Sequence, residues 1–225
     1  IFQDSIAELN QENRNFKQSR DAFNIAIEFL NSKKYEDALI KFSLALDIDS
    51  LFYQAYFHRA KTNIILERYE VALNDFQKCF LLDNTKLESL YQIASIYKTN
   101  NQEISFQIYD SILNIDPNQY LALYEQGVLL FSRNKIQEAI DLFTKSLSIS
   151  KQARTYNDRG SCYRILGKFD QAIADYTYAI SLDASLSFIY NNLGSLYRKN
   201  DNPDKALQYY NKAIEKDSVY DLAYN

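Results

Sequence analysis

The chain holds few side chains that could act as catalysts. His58 is the only histidine, and Cys79 and Cys162 are the only thiols. A lone imidazole with no nucleophile or acid at a recognisable spacing serves more readily as a hydrogen-bonding or packing group than as a base. A metal centre takes several ligands from one neighbourhood, and these three residues are far apart in sequence. No glycine-rich loop is available to cradle a phosphate. The expectation is a chain without catalytic, cofactor-binding or metal-binding residues. What remains is recognition chemistry. Arginine and lysine side chains can pair with acids, and asparagine amides can both donate to and accept from a peptide backbone.

Some framework must hold these groups in place. The 225 residues include only four Gly and two Pro, the residues that punctuate turns, which points to helices joined by short connections. The net charge of −4 is modest and its signs are interspersed, so the chain offers no field to hold nucleic acid. Polar residues interrupt every apolar stretch well short of the ~20 residues that cross a bilayer, so no membrane insertion is expected.

A repeated pattern gives the framework its phase. Aligning Ala38, Ala72, Ala139, Ala172 and Ala206 brings Phe42, Phe76, Phe143, Tyr176 and Tyr210 into register four residues later. Three residues beyond lie Ala45, Cys79, Ser146, Ala179 and Ala213. Small, aromatic and small at i, i+4 and i+7 mark one face of a helix. Upstream, Ala26, Ala60, Ala94, Gly127, Gly160 and Gly194 are each followed three residues later by Phe29, Asn63, Tyr97, Leu130, Tyr163 and Tyr197. That is a second helix face, whose small residues admit a close neighbour. Short polar turns such as KKYED, ERYEV and GKFDQ join the two helices, and Asp-Ser, Asp-Asn, Asp-Pro or Asp-Ala pairs close most units.

Six helix–turn–helix units follow, over 19–52, 53–86, 87–119, 120–152, 153–186 and 187–220. The third has Ser105 in place of Ala and lacks one residue near Asn100 to Glu103, and the fourth ends one residue early around Ser150 to Gln152. Both junctions are expected to disturb the regular curvature. Residues 1–18 leave the phase, yet Phe2, Ile6, Leu9 and Phe16 mark a narrow apolar edge of a helix that caps the first unit or forms a mobile tail. Residues 221–225 begin a seventh first helix, and Leu207, Tyr210 and Ile214 would be left uncovered, so the chain is expected to be a fragment or to associate end to end. The two cysteines fall in the second and fifth units, beyond the ~7 Å Cα separation that a disulfide tolerates. They read as reduced core residues of a cytoplasmic protein.

This pattern resembles the tetratricopeptide repeat, and the resemblance runs from Ser19 to Tyr220. It implies an all-α, right-handed solenoid of stacked antiparallel helix pairs, with first helices lining a concave groove. It also implies that positions two, five, six, nine, twelve and thirteen of each unit face that groove. The residues so placed include Phe23, Ile27, Phe57, His58, Tyr91, Tyr124, Val128 and Phe131 in the first four units. In the last two they are Arg154, Asn157, Asp158, Arg164, Asn191, Asn192, Arg198 and Lys199. The groove asparagine of peptide-binding relatives, at position six, is matched by Asn24 and Asn192, with Asn191 as a third candidate.

The resemblance implies a non-catalytic scaffold for a protein or peptide partner. Its main chain would be held near the C-terminal units, with apolar side chains buried toward the N-terminal ones. The alternative is that the aromatic residues only pack between units and the amides are solvated. The family's clamp for a chaperone C-terminal carboxylate needs Lys and Asn, then Asn, then Lys and Arg in successive units. Phe23 and Ile27, Phe57 and Lys61, Tyr91 and Ser95, or Tyr124 and Val128 do not supply that set. Two other roles fit the same residues: a docking arm of a larger enzyme of the glycosyltransferase kind, and a structural subunit that assembles through its uncovered last repeat.

Overall fold

The computed structural model describes the backbone over residues 2–223 and the side chains over 10–217. Within those limits there are twelve α-helices and no strand. They are α1 (Phe2–Asn31), α2 (Tyr35–Ile48), α3 (Tyr53–Ile65), α4 (Tyr69–Leu82), α5 (Glu88–Asn100) and α6 (Gln102–Ile115), followed by α7 (Tyr120–Ser132), α8 (Ile136–Ile149), α9 (Ala153–Ile165), α10 (Phe169–Leu182), α11 (Ser187–Lys199) and α12 (Pro203–Ala223). The fold class is all-α, as the repeat pattern predicts. The chain divides into two compact units, Ile1–Ile108 and Tyr109–Asn225, the division falling within α6.

The turn inside a helix pair ends the first helix by a left-handed residue. Lys33, Glu67, Asn134, Gly167 and Asp201 all have φ between 53° and 71°. The next amide then reaches back over a full turn, as in Arg68 N–H to the Asn63 carbonyl at 2.8 Å and Lys168 N–H to that of Tyr163 at 2.9 Å. This Schellman arrangement satisfies carbonyls that the helix end would otherwise leave open. The third pair lacks it, because Asn101 alone joins α5 to α6 and its N–H bonds Tyr97 O at 2.7 Å. Between pairs, the closing aspartates make Asx turns: Asp49, Asp116 and Asp183 accept from the backbone N–H of Leu51, Asn118 and Ser185 at 2.9–3.0 Å. The junction from α8 to α9 carries Ser150 instead and is correspondingly short.

The small and aromatic faces pack as their spacing requires. Phe42, Phe76, Phe143 and Tyr176 are fully buried, as are Ala38, Ala72, Ala139 and Ala172. Gly127 faces the Phe143 ring so closely that an added Cβ would sit 2.6 Å from Cε1. On α9, Gly160 faces α10 and leaves slightly more room, with an added Cβ at 3.0 Å from Tyr176 Cε1.

In each of two pairs an ion pair not singled out from the sequence ties the first helix to the second. Arg59 donates from Nε to Asp75 Oδ2 at 2.8 Å and from Nη2 to Oδ1 at 2.7 Å. Arg159 grips Asp175 in the same way, at 2.8 Å for both bonds. The remaining guanidinium nitrogen reaches back to the preceding pair, to Ser43 Oγ at 3.0 Å or Thr144 Oγ1 at 3.1 Å. These forks are bidentate and shielded from solvent, the geometry in which a buried charge is satisfied.

Both ends differ in detail from the sequence reading. Residues 2–18 continue into the first unit as one unbroken helix, α1, and from residue 10 to 18 only Asn15 is even half-buried. Phe16 is exposed, and the Arg20 guanidinium lies between its ring at 4.5 Å and that of Phe52 at 3.3 Å. The side chains of Phe2, Ile6 and Leu9 lie outside the described residues. At the other end α12 runs past Asp217 and Ser218 to Ala223 without a break, since no Gly or Pro stands there to end it. Asn225 lies outside the described residues.

Candidate functional site

In the first compact unit, the inward positions of α1 and α3 form an aromatic cluster around the only histidine. The His58 ring lies 5.5 Å from that of Phe23, edge-on, and 6.1 Å from that of Phe42, stacked. Phe57 approaches it at 6.2 Å and closes on Phe76 at 5.5 Å. Burial, then the nearby Lys61 ammonium, push the His58 imidazole below its usual value. Ile27 packs against Ala26, Ala38 and Phe42. Tyr91 on α5 is half-buried, and Asn24 is exposed. Phe57 and His58 also border an open depression of about 430 Å³, with Tyr53, Gln54, Lys86 and Glu88.

In the second unit the inward positions carry a polar chain instead. Asn192 on α11 donates from Nδ2 to Asn157 Oδ1 at 2.8 Å. Asn157 on α9 donates from Nδ2 to Asp158 Oδ1 at 3.0 Å, and Tyr124 on α7 donates from Oη to Asp158 Oδ2 at 2.9 Å. Three successive first helices are thus linked by side chains one repeat apart. The chain borders a cavity of about 330 Å³ whose other walls are Val128, Phe131, Phe143 and Ser161. Asn157 is buried, while Asp158 and Asn192 are half-buried. Burial is the chief influence on Asp158 and pushes its carboxyl up, outweighing the stabilising hydrogen bonds of Tyr124 and Asn157. Burial and the adjacent carboxylate push the Tyr124 phenol up as well.

The remaining expected residues do not join this cluster. Asn191 is exposed and borders a separate depression of about 480 Å³, with Phe188, Tyr210 and Ile214. Arg198 and Lys199 are exposed, and the Lys199 ammonium sits 5.7 Å over the Phe169 ring. Arg154 is exposed and acts on Asp158 through space. Arg164 is half-buried, and its Nε has no hydrogen-bond partner among the described residues. Burial pushes both thiols, Cys79 and Cys162, up to about 12, which makes them core groups rather than nucleophiles. Among the described residues there is no group of three His, Cys, Asp or Glu side chains placed to hold a metal ion, and no helix is long and apolar enough to cross a membrane.

Comparison with known proteins supplies the family. Models described as "Tetratricopeptide repeat" match residues 53–86, 153–186 and 187–218. The chain is a tetratricopeptide repeat protein. Hsp70-Hsp90 organizing protein 1 of Glycine max is 29% identical to it over 120 residues, which are 53% of this chain and 20% of that relative. The chain therefore spans a fifth of that relative's length. Among solved structures, pilF of Pseudomonas aeruginosa aligns with a TM-score of 0.70 at 16% identity, covering 87% of this chain and 90% of that one. YrrB, described as a TPR protein with an unusual peptide-binding site, aligns with a TM-score of 0.60 at 19% identity, over 81% of this chain and 95% of that one. At such identities the likeness concerns the tetratricopeptide repeat solenoid as a fold.

Two features of this repeat protein's site went unread in its sequence. Tyr124 and Asp158 are 34 residues apart, one repeat period, so their pairing is visible once inward positions of adjacent units are set side by side. The Arg–Asp fork repeats at a constant spacing of 16 residues in both pairs that carry it. The cavity itself has no sequence signal, because its volume depends on how far apart the helix backbones stand.

Proposed function

We propose that this tetratricopeptide repeat protein is an interaction scaffold whose second compact unit binds an extended peptide segment of a protein partner. The observation that carries the reading is the linked Asn192, Asn157 and Asp158 side chains on the wall of the 330 Å³ cavity. Each amide in the chain is oriented by its neighbour, so Asn192 presents its Oδ1 as a fixed acceptor for a backbone N–H. Val128 and Phe131 supply apolar surface beside it for a side chain. The volume is at the small end for ligand pockets, which suits one inserted anchor rather than a whole ligand. The solved structure of YrrB, with its peptide-binding site, supports the reading by likeness of fold. No catalytic step is assigned, and the two free, buried thiols suit a reducing compartment such as the cytoplasm.

Panning a random peptide library displayed on phage against the purified chain tests the reading. Recovered peptides should bind at micromolar strength or better, and Asn192→Ala and Asn157→Ala should each weaken them about tenfold, the cost of one buried hydrogen bond to a ligand. Undiminished binding by both variants would remove the site from this role.

A second reading rests on the last pair. Leu207 and Ile214 are 62% and 65% exposed, and Ile214 borders a depression with Phe188 and Tyr210. End-to-end self-association through that face predicts a mass that rises with concentration in light scattering, and a monomer at high concentration would exclude it.

A further inference from the structure

The second unit's cavity contains a carboxylate that the protein leaves without a counter-ion. Asp158 has hydrogen bonds from Tyr124 and Asn157, both uncharged, and among the described residues no cation lies within ion-pair distance of it. Arg159, its immediate neighbour in sequence, is committed to Asp175, and Arg154 acts only through space from an exposed position. Arg164 also lies on α9 and Glu125 on α7, and Glu125 adds a second negative charge on this side. A half-buried charge that is not paired is costly to the folded chain, and a cation brought by a ligand relieves that cost.

The walls around the carboxylate fit the same visitor. Val128 and Phe131 line the same cavity as the polar chain. Long aliphatic stems pack on such surface while the charged head goes on to a polar partner, and aromatic faces attract cations. A carboxylate already held by two donors also keeps lone pairs free for an ammonium or a guanidinium fork.

We propose that this cavity selects a lysine or arginine side chain of the bound peptide, with the stem against Val128 and Phe131 and the charge on Asp158. The inference rests on the peptide-binding reading above and adds what the segment must contain. In this arrangement Tyr124 and Asn157 are positioning residues: they fix the carboxylate toward the cavity, and Asn192 holds the main chain beside it.

The test uses the same phage-displayed random peptide library, panned separately on the parent chain and on Asp158→Asn, a nearly isosteric change. Peptides from the parent should carry Lys or Arg at one fixed position, and those from Asp158→Asn should lose that preference. The strongest parent binder is then synthesised with its basic residue and with norleucine in its place, and titrated by fluorescence anisotropy. The exchange should weaken binding to the parent at least about tenfold, as loss of a close charge pair does, and should leave binding to Asp158→Asn nearly unchanged. Because the peptide carries this change, the loss measured on the parent chain does not depend on how a protein variant folds. Parent binders without any basic preference, or an equal norleucine effect on both chains, would overturn the proposal while leaving the peptide-binding reading intact. Recovery of no peptide by the parent chain would overturn both.

Discussion

The α3–α4 and α9–α10 pairs are one hundred positions apart and share a frame, yet they use their inner faces in opposite ways. Arg59 and Asp75 correspond to Arg159 and Asp175, Phe76 corresponds to Tyr176, and the left-handed turn residue Glu67 corresponds to Gly167. The inner residues differ: Phe57 and His58 in one pair, Asn157 and Asp158 in the other. The first couple is absorbed into an aromatic cluster, and the second is hydrogen-bonded at the edge of a cavity. The frame therefore leaves the inner face free to vary, because the Arg–Asp fork and the small-against-aromatic contact lie on other sides of the same helices. What differs between the two pairs is where recognition chemistry can reside.

The shared frame should give the largest effects. Asp75→Ala and Asp175→Ala each strand a shielded guanidinium, and each should lower unfolding free energy by about 3 kcal/mol in urea titration. A much smaller loss in one pair would show that the forks are not equivalent. The helix contact comes next. Ala60 stands where α9 has Gly160, and a Cβ on Gly160 would sit 3.0 Å from the Tyr176 ring, so Gly160→Ala should cost about 1–2 kcal/mol through forced repacking.

The inner faces should then diverge with pH. His58 is pushed below its usual value of 6.5, so its contribution is present above that pH and is lost as pH falls through the folded value. Asp158 is raised from 3.8, so stability is greatest in acid and falls as pH rises through the folded value. Thermal melts from pH 4 to 8 should show His58→Gln flattening the loss between pH 7 and 5, an effect under about 1 kcal/mol. Asp158→Asn should melt level with the parent in acid and roughly 2–4 °C higher at pH 7. Slopes of the same sign for both variants would break the contrast. The smallest effect belongs to the turns. Glu67→Gly should stabilise by about 0.5–1 kcal/mol, and Gly167→Ala should cost a similar amount, since nothing within 4 Å opposes the added Cβ and only the backbone conformation is at stake.

The periodic part of this architecture was legible because a helix face is a local property. Ala38, Phe42 and Ala45 announce it within eight residues, and the Asp-Ser and Asp-Ala pairs at Asp49 and Asp183 mark where one unit closes and the next begins. The breaks were harder to read. Nothing in residues 18–20 marks a boundary inside α1, since a helix continues unless a residue stops it. Among the inward candidates, Asn191 and Asn192 are adjacent in sequence, yet only Asn192 turns to Asn157 while Asn191 faces another depression. A helix advances about 100° per residue, so neighbours on the rim of a face can part company, and the packing of α11 decides which one enters.

The buried thiols have a practical consequence. Cys79 belongs to the first compact unit and Cys162 to the second, and both are fully enclosed with their thiolate forms suppressed. An alkylating reagent such as iodoacetamide can reach either sulfur only when its surroundings open, so the modification rate at each position measures the opening of its own half. The native sequence thus carries one chemical clock per half, and peptide mapping after timed labelling would read both from a single sample.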